Sequence, residues 1–294
     1  MSALVASRRR TLRDRLGNPW ARPRFLWVIA IVYVVWILVP VVDAVVFSFN
    51  EGRSITQWQS FSLRLYTGDP DASVLHDAAL QHAVLQTLKL SLLTALVAVP
   101  LGVLFAIGLH RWRGATAKTA NFVMLFSFVT PELILAVALF LLFVHAFEVI
   151  GLGTGAELIG LVVLSLAYPV VIVRARLLSL GPSYEEAAND LGASPLETLR
   201  RVTLPMLAPS VFASAAIVFA LALDDFVIVN QLSRDASTQT VSIAIYGAAR
   251  TAPTPAINAI GTLMLATSTI VIGAAVIAYR RLERARGPAA APVP

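Results

Sequence analysis

Six stretches of this sequence are each apolar over some twenty residues or more, and that limits the chain to a membrane-embedded bundle of helices. A helix rises 1.5 Å per residue, so about 20 apolar residues cross the ~30 Å hydrocarbon core of a bilayer. The stretches cover 25–49, 84–109, 122–147, 158–178, 210–232 and 257–279. A soluble domain needs a charged surface, yet 14% of the residues are charged against 57% hydrophobic. Pro40, Pro100, Pro131 and Pro169 interrupt four of the spans. Each lacks an N–H and frees a carbonyl, so these helices must pack against neighbours that satisfy it.

The basic residues sort to one side. Eighteen Lys and Arg fall in the N-terminal tail, the 110–120 loop, the 174–209 segment and the C-terminal tail. The alternate connections hold Arg53, Arg64, Arg234 and Arg250, with Lys89 just inside the second span. That asymmetry predicts both termini on the cytoplasmic face, and it reads the net charge of +6 as topology rather than a nucleic-acid surface. The first apolar run is longer than the ~7–15 residues of a signal-peptide core and no small-residue cleavage site closes it, so a retained helix is expected. Residues 1–24 read as a cytoplasmic tail, disordered over 1–20, and 283–294 as a disordered cytoplasmic tail. With no cysteine, disulfides and thiolate chemistry are excluded.

The segment 179–209, between the fourth and fifth spans, carries clear local signals. Ser183-Tyr184-Glu185-Glu186 has the spacing of a capping box, and Tyr184, Ala187, Ala188 and Leu191 recur at i, i+3, i+4, i+7. Gly192 is placed to end that helix in a left-handed cap. Ser194-Pro195-Leu196-Glu197 opens a second one, with proline at the favoured first position and an end expected before Pro205. A two-turn helix is not stable alone, so its apolar face needs a partner. Local physics allows two: the ends of its own bundle, or another protein.

The run Glu186-Ala187-Ala188, then Gly192, then Val202-Thr203-Leu204-Pro205 resembles the EAA loop of ABC-importer permeases, with valine where isoleucine is more usual. The resemblance implies an all-α, six-span permease of the type I importer (MetI-like) fold over 25–282, in a bacterial inner membrane. It further implies a coupling helix docked on a cytoplasmic ATPase through Ser183, Glu186, Ala187, Ala188, Gly192 and Pro205. The expected companions are a homologous second permease, two ATPase subunits and an extracytoplasmic solute-binding protein. A P-loop needs Gly-Lys, and Lys89 and Lys118 follow Leu88 and Ala117, so ATP and Mg belong on the partner ATPase and no catalytic residue is expected here. The competing classes are an ATP-independent transporter or channel, and a membrane scaffold.

Ionisable residues inside spans are costly and point to a solute path. Glu132 follows Thr130-Pro131 roughly 15 Å into the third span at 1.5 Å per residue. Asp224 and Asp225 lie in the fifth span and Asp43 in the outer quarter of the first. All are acidic, which favours a cation. The structural alternatives are a helix cap at a broken helix, or a carboxyl held within the bundle. Adjacent helical residues point about 100° apart, so Asp224 and Asp225 need not share a cavity.

Leu223-Asp224-Asp225-Phe226-Val227-Ile228 resembles the fifth span of the smaller permease of polyamine (spermidine/putrescine) importers. Ser48-Phe49-Asn50, Trp58, Phe61, Tyr66, Thr130-Pro131-Glu132, Ile245-Tyr246 and the 254–258 run extend the match. Gln86-Thr87 departs from the Asn-Ser or Asn-Thr usual there, which weakens inference of the substrate but not of the fold. The resemblance adds Tyr246 to the expected path; another small solute is the alternative cargo. Trp58, Phe61 and Tyr66 read either as an interfacial aromatic belt or as a receiving surface for the binding protein. The four histidines are scattered, with no metal-ligand spacing.

Overall fold

A computed structural model of the chain describes residues 24–285 apart from 53, 55–56, 69–72, 75, 113 and 252–255. Residues 1–23 and 286–294 of the expected tails, Arg53 and the start of the 254–258 run lie outside the described residues; residues 283–285, expected in the C-terminal tail, continue the last helix. The described chain is helical nearly throughout. Five of its helical stretches are long and apolar enough to cross a membrane, and the sixth expected span is built from two shorter helices.

The first helix, α1 (Arg24–Phe47), is apolar on every side and keeps almost all its side chains exposed, the pattern of a helix that faces lipid. α2 (Ala78–Arg111) starts where the Asp77 carboxylate accepts the Ala79 and Leu80 N–H groups at 2.9 and 3.1 Å. Its 34 residues reach about 51 Å, so it projects beyond the apolar layer. The third span divides into α3 (Ala115–Val129) and α4 (Glu132–His145). Thr130 and Pro131 are extended between them, because a residue before proline is pushed out of helical geometry. α5 (Thr154–Ser165) and α6 (Ala167–Leu180) join through a still-helical Leu166 and act as one span.

After Gly181 come α7 (Ser183–Asp190) and α8 (Pro195–Thr198). A π-helical turn over Leu199–Thr203 then leads without a break into α9 (Leu204–Asp224). The second short helix therefore does not stop before Pro205, contrary to expectation. Leu204 N–H reaches back to the Leu199 carbonyl, a five-residue step that widens the helix where Pro205 offers no N–H. The fifth span also ends early: α9 stops at Asp224, and α10 (Val227–Leu232) is a separate short helix. α11 (Val241–Thr251) and α12 (Ala256–Ala285) are the last described helices.

Three clusters of buried side chains hold these helices together. One joins α2, α6 and α9 near the α7 end through Val103, Val170, Val173, Leu207 and Val218. A second joins α4, α5 and α10 in the other half through Phe143, Leu161, Ile228 and Leu232. The third seats α11 and the start of α12 against Leu65 and Ala83 at the far end. Lipid tails are as apolar as leucine, so close packing and interhelical hydrogen bonds carry this assembly. A Cβ at Gly102 would stand 2.4 Å from Pro169 Cγ, and one at Gly160 2.7 Å from both Ile228 Cγ2 and Leu232 Cδ1. Thr87 Oγ1 accepts the Val241 N–H at 2.9 Å, tying α11 to α2.

Candidate functional site

Two interruptions in helices build the acidic site. Pro131 turns the third span so that Glu132 opens α4, and the extended backbone at Asp225 ends α9 and starts α10. Both breaks face one cavity of about 580 Å³, lined by Glu132, Asp224 and Asp225 together with Tyr168 and Phe226. None of its described lining residues is basic. Because the helix breaks between the two aspartates, the 100° separation of an intact helix does not apply, and both line the same space. Asp224 is exposed and also borders a second cavity, of about 610 Å³, against α1, α11 and α12.

Asp225 is buried. Its Oδ1 accepts the Ile228 and Val229 N–H groups, both at 3.1 Å, so it caps α10 as well as lining the cavity. Its carboxyl shares the cavity with that of Glu132. The Asp225 carbonyl accepts the Ser242 hydroxyl at 2.6 Å, which fastens the break to α11. Tyr246 on α11 packs on Phe226 with ring centres 4.5 Å apart, and the Arg250 guanidinium sits over the Tyr246 ring, 4.5 Å from its centre. Tyr246 thus meets the cavity through Phe226. Asp43 is not brought to this group; it lies exposed in a shallow apolar groove with Val39, Val42 and Val46 on a different face of α1.

The elbow formed by α7 and α8 is set by its glycines. Gly181 (φ +67°) and Gly192 (φ +83°) adopt left-handed backbone, and the turn at Gly192 lets the Ala193 N–H reach the Ala188 carbonyl at 3.0 Å. Ser194 accepts the Glu197 N–H at 3.4 Å, as its box predicts. The first box is not formed. Ser183 is the first helical residue rather than the cap, because Pro182 already holds near-helical angles and its carbonyl takes the Glu185 and Glu186 N–H groups. Of the expected apolar face, Ala188 is buried, whereas Ala187, Tyr184 and Leu191 are exposed, Leu191 at 90%. Glu186 is exposed and Pro205 half-buried. The elbow therefore rests on its own bundle through one side and leaves another open.

Glu185 is the polar contact on the bundle side. Its Oε1 accepts from Arg111 Nη2 at 2.8 Å and from Thr203 Oγ1 at 2.7 Å. Partial burial works against its ionisation, but the Thr203 hydroxyl and the Arg111 guanidinium outweigh it and hold the carboxyl below the usual glutamate range. At the opposite end, Trp58 sits edge-on to Phe47 and Phe61 stacks on Phe49, both remaining exposed. Tyr66 packs on Phe49, and its hydroxyl meets Ser48 Oγ at 2.7 Å.

Residues 98–285 match the family described as "Binding-protein-dependent transport system inner membrane component". The chain belongs to that family. It is therefore an inner-membrane permease subunit that works with a binding protein and an ATPase, which sets aside the ATP-independent and scaffold alternatives. The permease is 32% identical over 275 residues to the "Putrescine transport system permease protein PotI" of Escherichia coli (strain K12), covering 91% of this chain and 95% of that one. It is 28% identical over 237 residues to the "Spermidine/putrescine transport system permease protein PotC" of the same organism, covering 81% and 87%. Among solved structures, a chain of a bacterial alginate ABC importer aligns with TM-score 0.71 at 18% identity, covering 91% of this chain and 99% of that one. A chain of the MetNI methionine transporter aligns at 0.54 with 19% identity, covering 68% and 94%. These likenesses establish the type I importer fold.

One carboxylate escaped the sequence reading. Glu157, in the first turn of α5, is fully buried, and Gln86 on α2 donates to its Oε2 at 2.9 Å and to Thr154 Oγ1 at 2.8 Å. It fell one residue outside the span assigned as 158–178. The unusual Gln86 was the available signal, since a buried amide needs partners.

Proposed function

We propose that this permease carries a small cationic solute, a polyamine of the putrescine or spermidine kind, and that Glu132, Asp224 and Asp225 line its path. The observation that carries this reading is the cavity that acidic groups from two spans share, with no basic side chain among its described lining residues. A carboxylate in a low-dielectric site is stabilised by an opposite charge, and an alkylammonium supplies one. Tyr168 and Phe226 add ring faces suited to cations and methylene chains. The names of the relatives in Escherichia coli, putrescine and spermidine/putrescine transport permeases, support the same class of cargo.

In this reading both termini are cytoplasmic, and the exposed side of α7, with Glu186, Ala187 and Leu191, docks on an ATPase subunit. Gly192 sets the turn that presents it. A homologous second permease completes a pseudo-twofold pair above two ATPases, which hold ATP and Mg. ATP-driven closure of the ATPases draws the two elbows together and opens the bundle outward. The binding protein, seated near Trp58, Phe61 and Tyr66, then releases its cation into the acidic cavity, and hydrolysis resets the cycle. Asp43, away from the cavity, would act only on solute entering along α1.

The test is uptake of radiolabelled putrescine and spermidine into proteoliposomes holding the full complex. ATP-dependent uptake that fails with Glu186→Lys is expected. ATP hydrolysis stimulated by the binding protein without polyamine uptake would leave the importer standing and overturn the cargo.

A further inference from the structure

We propose that Glu185, not only the Glu186 beside it, transmits the movement of the elbow, acting as a strut from α7 to two spans at once through Arg111 and Thr203. This inference rests on the reading of α7 as the ATPase-docking helix. Three observations carry it. α7 is eight residues long and buries one side chain, Ala188, so packing alone holds it weakly to the bundle. A single oxygen of Glu185 accepts from both Arg111, the last residue of α2, and Thr203, the last residue of the π turn. Those two donors are the ends of continuous levers. α2 runs to the Gln86–Glu157 contact, and the π turn runs through α9 to Asp224 at the acidic cavity.

The geometry separates two adjacent glutamates by function. Successive helical residues point about 100° apart. Glu186 faces outward, exposed, where a docking partner reaches it; Glu185 faces inward, half-buried, where the bundle does. The pair with Arg111 is about one-third exposed on each side and so contributes little to stability. Its value is directional. A node of two donors on one shared acceptor oxygen fixes the tilt of α7, so that a pull on the helix is delivered to α2 and α9 rather than absorbed by its two glycine turns. A space of about 370 Å³ beside the node, lined by His110, Tyr184 and Asn189, gives the helix room to swing when the strut is absent.

The absence of cysteine allows a direct readout. Ala220→Cys places one thiol on this chain at the wall of the acidic cavity. Its rate of modification by a thiol reagent is measured in the full complex, nucleotide-free and vanadate-trapped. The expected result is a rate that changes on trapping with the native elbow, and a change at least fivefold smaller with Glu185→Gln, Arg111→Gln or Thr203→Val, the ATPase still co-purifying in each. The exchanged pair Glu185→Arg with Arg111→Glu is expected to recover part of the response. A full response in Arg111→Gln and Thr203→Val overturns the strut, even if Glu185→Gln fails to assemble. So does equal labelling in both states with the native elbow. Glu186→Lys separates the two ideas: if it releases the ATPase while the strut variants gate normally, only the strut falls. If Glu186→Lys retains the ATPase, the docking reading falls first.

Discussion

At the elbow, Glu185 meets a guanidinium and a hydroxyl, and its charge is closed within the chain. In the cavity, Glu132, Asp224 and Asp225 line one space, and none of its described lining residues is basic. Both regions arise where a helix is interrupted, yet the interruptions differ in kind. The elbow turns on glycines with left-handed backbone, outside the apolar layer, where loose ends are solvated. The cavity opens at Pro131 and at the extended Asp225, inside it, where each freed group must find a partner. A device that is satisfied can carry force; one that is left acidic can receive charge.

The largest expected effect comes from neutralising the cavity. An unpaired charge at the centre of a membrane helix costs ~2.5–3.5 kcal/mol, so a cargo cation deprived of its counter-charge loses roughly 100-fold in uptake. Asp224→Asn combined with Glu132→Gln is expected to show that loss in polyamine uptake, with the ATPase still bound. Asp225 is a less clean target, because its Oδ1 also caps α10. If the double variant transports normally while Glu185→Gln does not, the contrast between the two regions is inverted.

A second test asks whether the regions share one frame. Gly102 on α2 lies against Pro169 on α6, and an added methyl would sit 2.4 Å from the ring Cγ and 2.8 Å from its Cβ. A pyrrolidine ring in a helix cannot rotate away, so Gly102→Ala is expected to cost ~1–3 kcal/mol. Thermal unfolding in detergent reads that loss. Gly108→Ala, with nothing within 4 Å of the new Cβ, is the matched control and should gain up to ~1 kcal/mol from helix propensity.

The elbow was more legible in the sequence than the cavity, and the reason is range. Gly192 and the Ser194 cap act within a few residues, so their signals sit next to each other in the chain. Ser183 misled because Pro182, one residue earlier, already held the angles that start the helix. The six apolar runs gave the fold class from hydropathy alone. Their breaks were harder: Pro131 marked one, while the break at Asp225 entered only as one alternative for the acidic residues, a helix cap at a broken helix. The walls of the cavity come from α4, α5, α6, α9, α10 and α12, with Tyr246 of α11 packed behind Phe226. That convergence is tertiary, and Asp43, equally acidic and equally placed by hydropathy, lies on another face. Glu157 was missed because burial, not its position in the sequence, makes it notable.

Glu157 offers a third environment that sharpens the comparison. Its Oε2 is held by an amide rather than by a cation or another acid. Gln86→Leu removes that donor and strands a buried acceptor, at an expected cost of ~1–3 kcal/mol. Gln86→Glu would set two carboxyls face to face, and is expected to be worse than Leu. Equal stability of the native and Gln86→Leu proteins would show that the Gln86 bond does not hold α2 to α5.

The smallest effect is the response of the elbow to acid. The Glu185 carboxyl titrates below its ordinary value, so its contribution is fully present above the unfolded glutamate pKa of ~4.3. It is lost as the pH falls through the lower folded value. Because the pair is half-solvated, that contribution is under about 1 kcal/mol. Between neutral pH and about 5 the elbow should therefore keep its native tilt, and a spin label at Ala187 should report no change. Once the pH falls below the ordinary glutamate range the label is expected to loosen in the native chain, while in Glu185→Gln it is loose at every pH. Loosening already near pH 6 would assign the elbow's acid response to a group other than Glu185.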